Sequence, residues 1–332
     1  AFMGFLEVLL NIRVIFKNIR FCKQDIENFN PDLIIFIDYS GFNLRIARWA
    51  KTKGFTTNYY ISPQIWASRE GRIEKIKRDI DDMYVILPFE KDFYEKKHGF
   101  EVNFVGHPLI DAIENRIRTD GHHFREEHHI DRDKPIIALL PGSRKQEVRK
   151  MLSVMLSIVE DFSNYEFVIA GAPSLDREFY APFLENPNVG FVDNKTYELL
   201  SIAHAALVTS GTATLETALF KLPQVVCYRA NWLSYLIAKR IVTLEYISLV
   251  NLIMKKEVVK ELIQADLTSK NIKSELKQII DGPKRESHLN AYEELEKQLG
   301  GRGARDKTEN ELVQKIKQDE LEDKEGSSVG LS

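Results

Sequence analysis

The sequence predicts an α/β protein made of two parallel-sheet halves. Three observations lead there. Short apolar runs alternate with amphipathic ones along most of the chain, the pattern of parallel strands joined by crossover helices. The alternation comes as two series separated by a polar joint at residues 111–134. Several runs also leave through small-residue turns straight into helical stretches, the edge at which open α/β sheets bind ligands. At 332 residues the chain is long enough for two such domains.

The opening stretch, AFMGFLEVLLNIRVIFKNIRF, carries Glu7, Arg13, Lys17 and Arg20, which interrupt any signal-peptide core, and no small-residue cleavage site follows. It reads as an amphipathic helix over residues 2–21. Its apolar residues, among them Phe5, Leu9, Ile15, Phe16 and Ile19, cover more of the helix than a one-sided contact needs. Either the helix is sandwiched between other elements, the favoured arrangement, or part of it meets lipid. Strands follow at 33–37, 57–61, 83–87 and 102–105, with helices at 44–53, 69–80 and 89–98 between them. The second series places strands at 136–140, 167–169, 189–192, 206–208 and 225–228. Each series is Rossmann-like.

The joint contains HHFREEHH and the Asp131–Asp133 pair, both tempting as metal sites. The histidines sit in a short polar connector with no evident supporting shell, and the aspartates precede a strand, whereas ligand loops follow strands. Neither is read as a metal site. Helices are expected at 270–280, 286–299 and 306–316, and the polar tail 318–332 is expected to be disordered.

Composition narrows the function classes. A net charge of −3 and a pI near 6.3 supply no global basic field, which argues against a general nucleic-acid binder. Cys22 and Cys227 form no CxxC pair, so neither a disulfide framework nor a structural zinc site is indicated, and a reducing cytoplasm fits. No apolar run approaches the roughly 20 residues that span a bilayer.

Chemistry is carried by the strand-end turns. LPGSRKQEVRKML, residues 140–152, leaves an apolar strand through Gly142 and Ser143, and Arg144 opens the helix. Glycine lets backbone amides approach an anion, the helix start attracts it, and a guanidinium fork matches phosphate oxygens. It is no Walker loop, since no Gly-Lys-Ser/Thr closes it. An ordinary turn with Ser143 as N-cap explains the local pattern equally well. TSGTATLETALFK repeats the design with Ser210, Gly211 and Thr212, and Glu216 lies about one helical turn further on. In the first half, Asp38 follows the strand 33–37 and stands at the carboxyl edge of its sheet. SPQIWASR, residues 62–69, is a Pro- and Trp-bearing loop leading into a basic helix.

These stretches, with ILPFEKDFYEKK, FVGHPLID and AKRIVTLEYISLVNLI in this order, closely resemble the lipid-A-disaccharide synthases, over about residues 1–316. The resemblance implies an inverting glycosyltransferase of GT-B type, two Rossmann-like domains with a cleft between them. The family joins UDP-2,3-diacylglucosamine to 2,3-diacylglucosamine 1-phosphate (lipid X). It releases UDP and forms the β-1,6-linked disaccharide of the lipid A precursor, at the inner face of the cytoplasmic membrane and without a catalytic metal or cofactor. Family members carry a strand and a glycine-rich loop upstream of the position of Ala1, so the first domain is expected to be amino-terminally truncated.

By that resemblance Asp38 is the general base on the acceptor hydroxyl, or its orienting partner, and Arg144 with Gly142 and Ser143 holds the diphosphate. Ser210, Gly211 and Thr212 line the same region, Glu216 accepts from ribose, and Tyr228, Arg229 and Asn251 extend the nucleotide pocket. His107, in Gly-His-Pro, is either a hinge residue or a ligand contact. Phe5, Leu9 and Phe16 with Arg13 and Lys17 face the membrane, and the run 232–237, WLSYLI, favours a lipid substrate. The expected domains are 1–115, the acceptor and lipid side, onto which 300–317 packs back, and 116–299, the UDP-sugar side. A homodimer through the carboxyl-terminal helix is permitted. The alternatives are a UDP-N-acetylglucosamine 2-epimerase-type enzyme and a non-catalytic UDP-binding fragment.

Overall fold

The computed structural model describes residues 12–116, 119–229 and 245–301, together with 303, 306, 310, 313 and 314. Phe5, Leu9, the run 232–237 and the tail 318–332 lie outside the described residues. The described residues divide into two compact units, one from 12 to 111 with those from 299 onward, the other from 112 to 298.

The first unit holds a parallel sheet in the order β1-β2-β3-β4: β1 Leu33–Ile37, β2 Thr56–Tyr60, β3 Asp82–Val85 and β4 Asn103–Phe104. Helix α1 (Ile12–Phe29) precedes β1, and α2 (Ser40–Thr52), α3 (Ile73–Asp79) and α4 (Pro88–Asp92) form crossovers. Helix α1 runs well beyond residue 21 and stops where Asn30 turns left-handed (φ 49°) ahead of Pro31. The sandwiched arrangement favoured for this helix does not hold over its described part. Ile15, Ile19, Cys22 and Ile26, at spacings of four, three and four, pack on the unit's core. Phe16 and Phe21 are 60% and 69% exposed. At 100° per residue, Arg13, Lys17 and Arg20 form the outward ridge, with Phe16 on one flank and Val14 and Phe21 on the other. One core contact therefore leaves Val14, Phe16 and Phe21 of the described part outside it.

The SPQIWASR loop is organised by a buried acid. Glu90 accepts from Ser62 Oγ (2.7 Å), Trp66 Nε1 (3.1 Å) and the amides of Ile86 and Leu87 (3.2 and 2.9 Å). Burial raises its pKa and the four donors oppose the rise.

The second unit holds six parallel strands in the order β10-β9-β8-β5-β6-β7: β5 Ile136–Leu140, β6 Glu166–Gly171, β7 Val189–Asp193, β8 Ala205–Thr209, β9 Gln224–Tyr228 and β10 Glu261–Ile263. Both faces are covered. Ile137 and Leu139 point into a core shared with α7 (Lys145–Met155) and α12 (Ser269–Ile280), while Ile136, Ala138 and Leu140 meet α9 (Thr196–Ile202) on the other side. The remaining helices are α5 (Pro108–Glu114), α6 (Gly121–Glu127), α8 (Arg177–Tyr180), α10 (Thr212–Leu219), α11 (Leu249–Met254) and α13 (Lys284–Gln298). The joint read as a polar connector contains α6, capped by Asp120, with Phe124 and Ile130 in the core. Asp131 binds the amides of Asp133 and Lys134 and so closes a turn. Among the described residues no three His, Cys, Asp or Glu side chains gather as metal ligands would.

Beyond the second unit the chain returns to the first. The His107 amide donates to Leu299 O (3.0 Å), and the Gly303 amide donates to Asp111 Oδ1 (2.8 Å). His107 itself is buried. Its Nδ1 accepts from the Leu109 amide (3.2 Å), and desolvation pushes its pKa down to about 4. His288, buried in α13 beside Tyr292, is likewise pushed down to about 4 by burial.

Both imidazoles therefore fold neutral. Below the ordinary value of about 6.5 the unfolded chain binds protons that the folded chain refuses, and stability is lost as the pH falls from 6.5 toward 4, by about 3 kcal/mol per histidine at full extent. Glu90, with its raised pKa, works in the opposite sense and gains stability as pH falls through that raised value. Thermal unfolding is expected to show a lower midpoint at pH 5 than at pH 7, and a shallower drop in a His107→Gln/His288→Gln variant. An unchanged slope in that variant would show that other groups carry the acid sensitivity.

Candidate functional site

In the second sheet the chain runs β5, β6, β7 to one side, then β8 returns to the other side of β5. The β5–β8 boundary is thus a topological switch point, where open sheets leave a crevice at the carboxyl ends of their strands. The two small-residue turns flank it. After β5, Gly142 adopts φ 100°, a left-handed backbone that favours glycine, and the Glu147 carboxylate lies against it, 2.7 Å from where a Cβ would stand. The helix begins one residue later than the Ser143 cap would require. Arg144 is the N-cap of α7, and its side chain makes no capping bond. That side chain is exposed and has no ion-pair partner among the described residues. Ser143 is exposed too, and its carbonyl accepts from Ser174 Oγ (3.1 Å) in the turn after β6.

After β8, Ser210 Oγ donates to Ile247 O (3.0 Å), Gly211 adopts φ 149° with open space around it, and Thr212 starts α10. The turns after β5 and β8 therefore stand side by side, and the amides of Gly142, Ser143, Gly211 and Thr212 bond to no backbone carbonyl among the described residues. Glu216, half-buried one turn into α10, accepts from Tyr197 Oη (3.0 Å), and burial raises its pKa. Tyr228 ends β9, next to β8; burial and the neighbouring Glu147 carboxylate raise its phenol, and Arg144 opposes this. The mutual influence brings Tyr228, Glu147 and Arg144 into one neighbourhood.

Two predicted nucleotide contacts have other work. Arg229 donates through Nη2 to Leu267 O (2.5 Å) and Gln264 O (3.5 Å), tying β9 to the turn after β10. Asn251 is fully buried: its amide donates to Val259 O and Glu261 Oε1 (both 2.9 Å) and accepts from the amides of Val258 and Val259 (2.8 and 3.0 Å). With all four bonds made inside the protein, it shapes the segment and presents nothing outward. Glu261, missed from sequence, completes that frame by binding the amides of Ile247 and Ser248.

In the first unit, Asp38 ends β1 in a left-handed conformation (φ 45°), and Tyr39 repeats it (φ 35°). Two successive non-glycine residues in this region cost about 1–3 kcal/mol each. The turn persists because the Asp38 carbonyl is held by Asn43 Nδ2 (2.8 Å) and by the Tyr59 hydroxyl, and its amide by Tyr60 O (3.2 Å). Tyr39, not Asp38, is the N-cap of α2, and without a side-chain bond. The Asp38 carboxylate is thus exposed and takes no part in capping. Three residues that sequence reasoning overlooked, Asn43, Tyr59 and Arg72, frame this turn; Arg72 Nη1 donates to Ser40 Oγ (2.9 Å).

Two Rossmann-like units, each built on a parallel sheet, give the GT-B fold. The architecture is shared with a putative UDP-N-acetylglucosamine 2-epimerase from Listeria monocytogenes (TM-score 0.59, 14% identity, covering 84% of this chain and 73% of that one). It is shared equally with the glycotransferase of kitacinnamycin (TM-score 0.57, 11% identity, 94% and 83% covered). At such identities these likenesses establish the fold alone. The chain belongs to the lipid-A-disaccharide synthetase family, whose sequence pattern matches residues 1–316. It is 39% identical over 285 residues to the lipid-A-disaccharide synthase of Coxiella burnetii, covering 85% of this chain and 75% of the relative. It is therefore a glycosyltransferase of lipid A biosynthesis.

Proposed function

We propose that this chain condenses UDP-2,3-diacylglucosamine with 2,3-diacylglucosamine 1-phosphate, giving the β-1,6-linked disaccharide 1-phosphate and UDP. The observation that carries the residue assignment is the Arg144 side chain, without an ion-pair partner among the described residues, beside the two small-residue turns at the switch point of the second sheet. In this reading Gly142, Ser143, Ser210, Gly211 and Thr212 offer backbone and hydroxyl donors to the diphosphate, and Arg144 neutralises the charge that grows on departing UDP. Glu216 accepts from the ribose, and Tyr228 closes the pocket. Asp38 takes the proton from the acceptor's 6-hydroxyl as that oxygen bonds to C1 of the donor and the C1–O bond to UDP breaks, inverting the centre. An epimerase reading rests on fold likeness alone and needs no acyl chains.

The substrates' acyl chains keep them in a bilayer, so the enzyme must come to the surface. No helix among the described residues is long and apolar enough to cross a membrane. Helix α1 supplies a peripheral approach in this proposal, at the inner face of the cytoplasmic membrane. Phe16 and Phe21 enter the acyl boundary, and Arg13, Lys17 and Arg20 meet anionic headgroups at about 1 kcal/mol each. A homodimer through the carboxyl-terminal helix rests on the family resemblance.

Anionic vesicles loaded with both diacylated substrates test the proposal. The parent is expected to bind them and to form disaccharide and UDP in equal amounts. A Phe16→Ser/Phe21→Ser variant should leave the vesicles with its UDP affinity intact, and high salt should weaken parental attachment only in part, because the apolar term is unscreened. UDP binding without disaccharide would mark a non-catalytic binder, and conversion of free UDP-N-acetylglucosamine would mark an epimerase.

A further inference from the structure

The first unit contains a cavity of about 890 Å³ whose wall is dominated by cations: Arg45, Arg48, Arg69, Arg72 and Lys75. They arise from two helical rows of i, i+3 spacing, Arg45 and Arg48 on α2 and Arg69, Arg72 and Lys75 along the turn into α3, so the two rows face one space. None of the five is paired with a carboxylate among the described residues. Arg78, further along the second row, shows the contrast, because Asp79 binds it through two bonds of 2.6 Å.

Like charges gathered without counter-charge repel one another. Burial and the neighbouring Arg69 and Arg45 depress the Arg72 pKa, which places these three guanidinium groups within mutual influence. Arg69 is also held left-handed (φ 62°), a conformation that glycine or asparagine adopts at lower cost. Such an arrangement is a receptor for a compact dianion, whose arrival converts repulsion into charge-assisted hydrogen bonds.

The cavity's other residues narrow the ligand. Tyr39 and Ser40, which directly follow Asp38, line it, so the anion would sit beside the carboxylate given the acceptor proton. Ile15 and Phe42 add an apolar flank, and Ile15 belongs to α1, whose exposed Phe16 is its chain neighbour. A ligand with a phosphate, a sugar-sized body and an apolar tail satisfies all three features. Building on the proposed reaction, we infer that this arginine-lined cavity binds the phosphate monoester of the acceptor and thereby selects a phosphorylated acylated sugar as the nucleophile. Nucleotide binding in the second unit is independent of it.

The test uses the full chain and two probes in detergent micelles, 2,3-diacylglucosamine 1-phosphate and the same lipid without its phosphate. The parent is expected to bind the phosphorylated probe about 10- to 100-fold more tightly, the range of one or two charge-assisted bonds. Arg48→Gln and Arg69→Gln, at exposed positions, should together erase that preference while leaving the unphosphorylated probe and UDP unaffected, and Arg48→Lys/Arg69→Lys should restore part of it. Preference retained in the double glutamine variant overturns the inference. So does loss of attachment to phosphatidylglycerol vesicles with the probe preference intact, which would assign the cations to membrane headgroups, or equal competition by inorganic phosphate and the probe, which would leave an unspecific anion site. Because binding is read without turnover, a failure of the proposed reaction would appear separately, as absent disaccharide despite a phosphate preference.

Discussion

Asp38→Asn is expected to lower kcat by about 10²–10⁴-fold, the range of general acid–base catalysis, with little change in UDP affinity or thermal stability. The separation follows from how the turn is built. The strained backbone at Asp38 and Tyr39 is secured by bonds from Asn43, Tyr59 and Tyr60 to the Asp38 carbonyl and amide, and these bonds do not use the carboxylate. Asparagine also tolerates φ near 45° as well as aspartate does, so the substitution removes a proton acceptor and leaves the shape. Steady-state assays with both diacylated substrates, beside calorimetric titration with UDP, measure the two effects independently. Turnover close to that of the parent would reduce Asp38 to a turn residue, and simultaneous loss of UDP binding would mean that the variant had misfolded.

What the sequence made legible depended on whether the decisive partners were local. Strands β1 and β5 were readable to the residue because each is a continuous apolar run bounded by turn residues, although only β5 is buried throughout. The strand β10 is three residues at a sheet edge, without periodicity, and only its pairing with β9 defines it. Polar residues were the hardest to place. Asn251 and Arg229 fit a nucleotide pocket by type, yet their bonds go to backbone on neighbouring segments that pattern alone does not bring together. Glu90 anchors the loop at Ser62 and Trp66, more than twenty positions earlier, a link that local pattern does not reveal. The opening helix misled for a different reason. Its apolar excess was real, but over the described part only one stripe reaches the core, and Val14, Phe16 and Phe21 remain outside. The arginine rows at 45–48 and 69–75 were visible as spacing; that they share a cavity depends on the packing of α2 against α3.

Arg144→Ala is expected to reduce kcat/KM by about 10²–10³-fold, comparable to deleting a single donor that stabilises developing charge. UDP affinity should fall by about 10- to 100-fold, matching one charge-assisted bond to a diphosphate. Both changes should occur without loss of stability, since the side chain is exposed, caps nothing and pairs with no carboxylate among the described residues. The unpaired state is the core of the reasoning. A guanidinium retained at a helix start lies at the positive end of the helix dipole, where a cation is disfavoured unless an anion joins it. Glu147, in the same first turn, complements that dipole but folds back against Gly142 and forms no ion pair with Arg144. UDP is the anion that the two adjacent turns can hold together, so affinity and turnover should fall together, in contrast to the Asp38 variant, where they part. Arg144→Lys should recover charge but not the planar fork and so rescue only partially. An alanine variant that binds UDP as the parent does would show that residues 140–152 form a simple strand-to-helix turn, and the diphosphate would then have to be sought elsewhere on the second sheet.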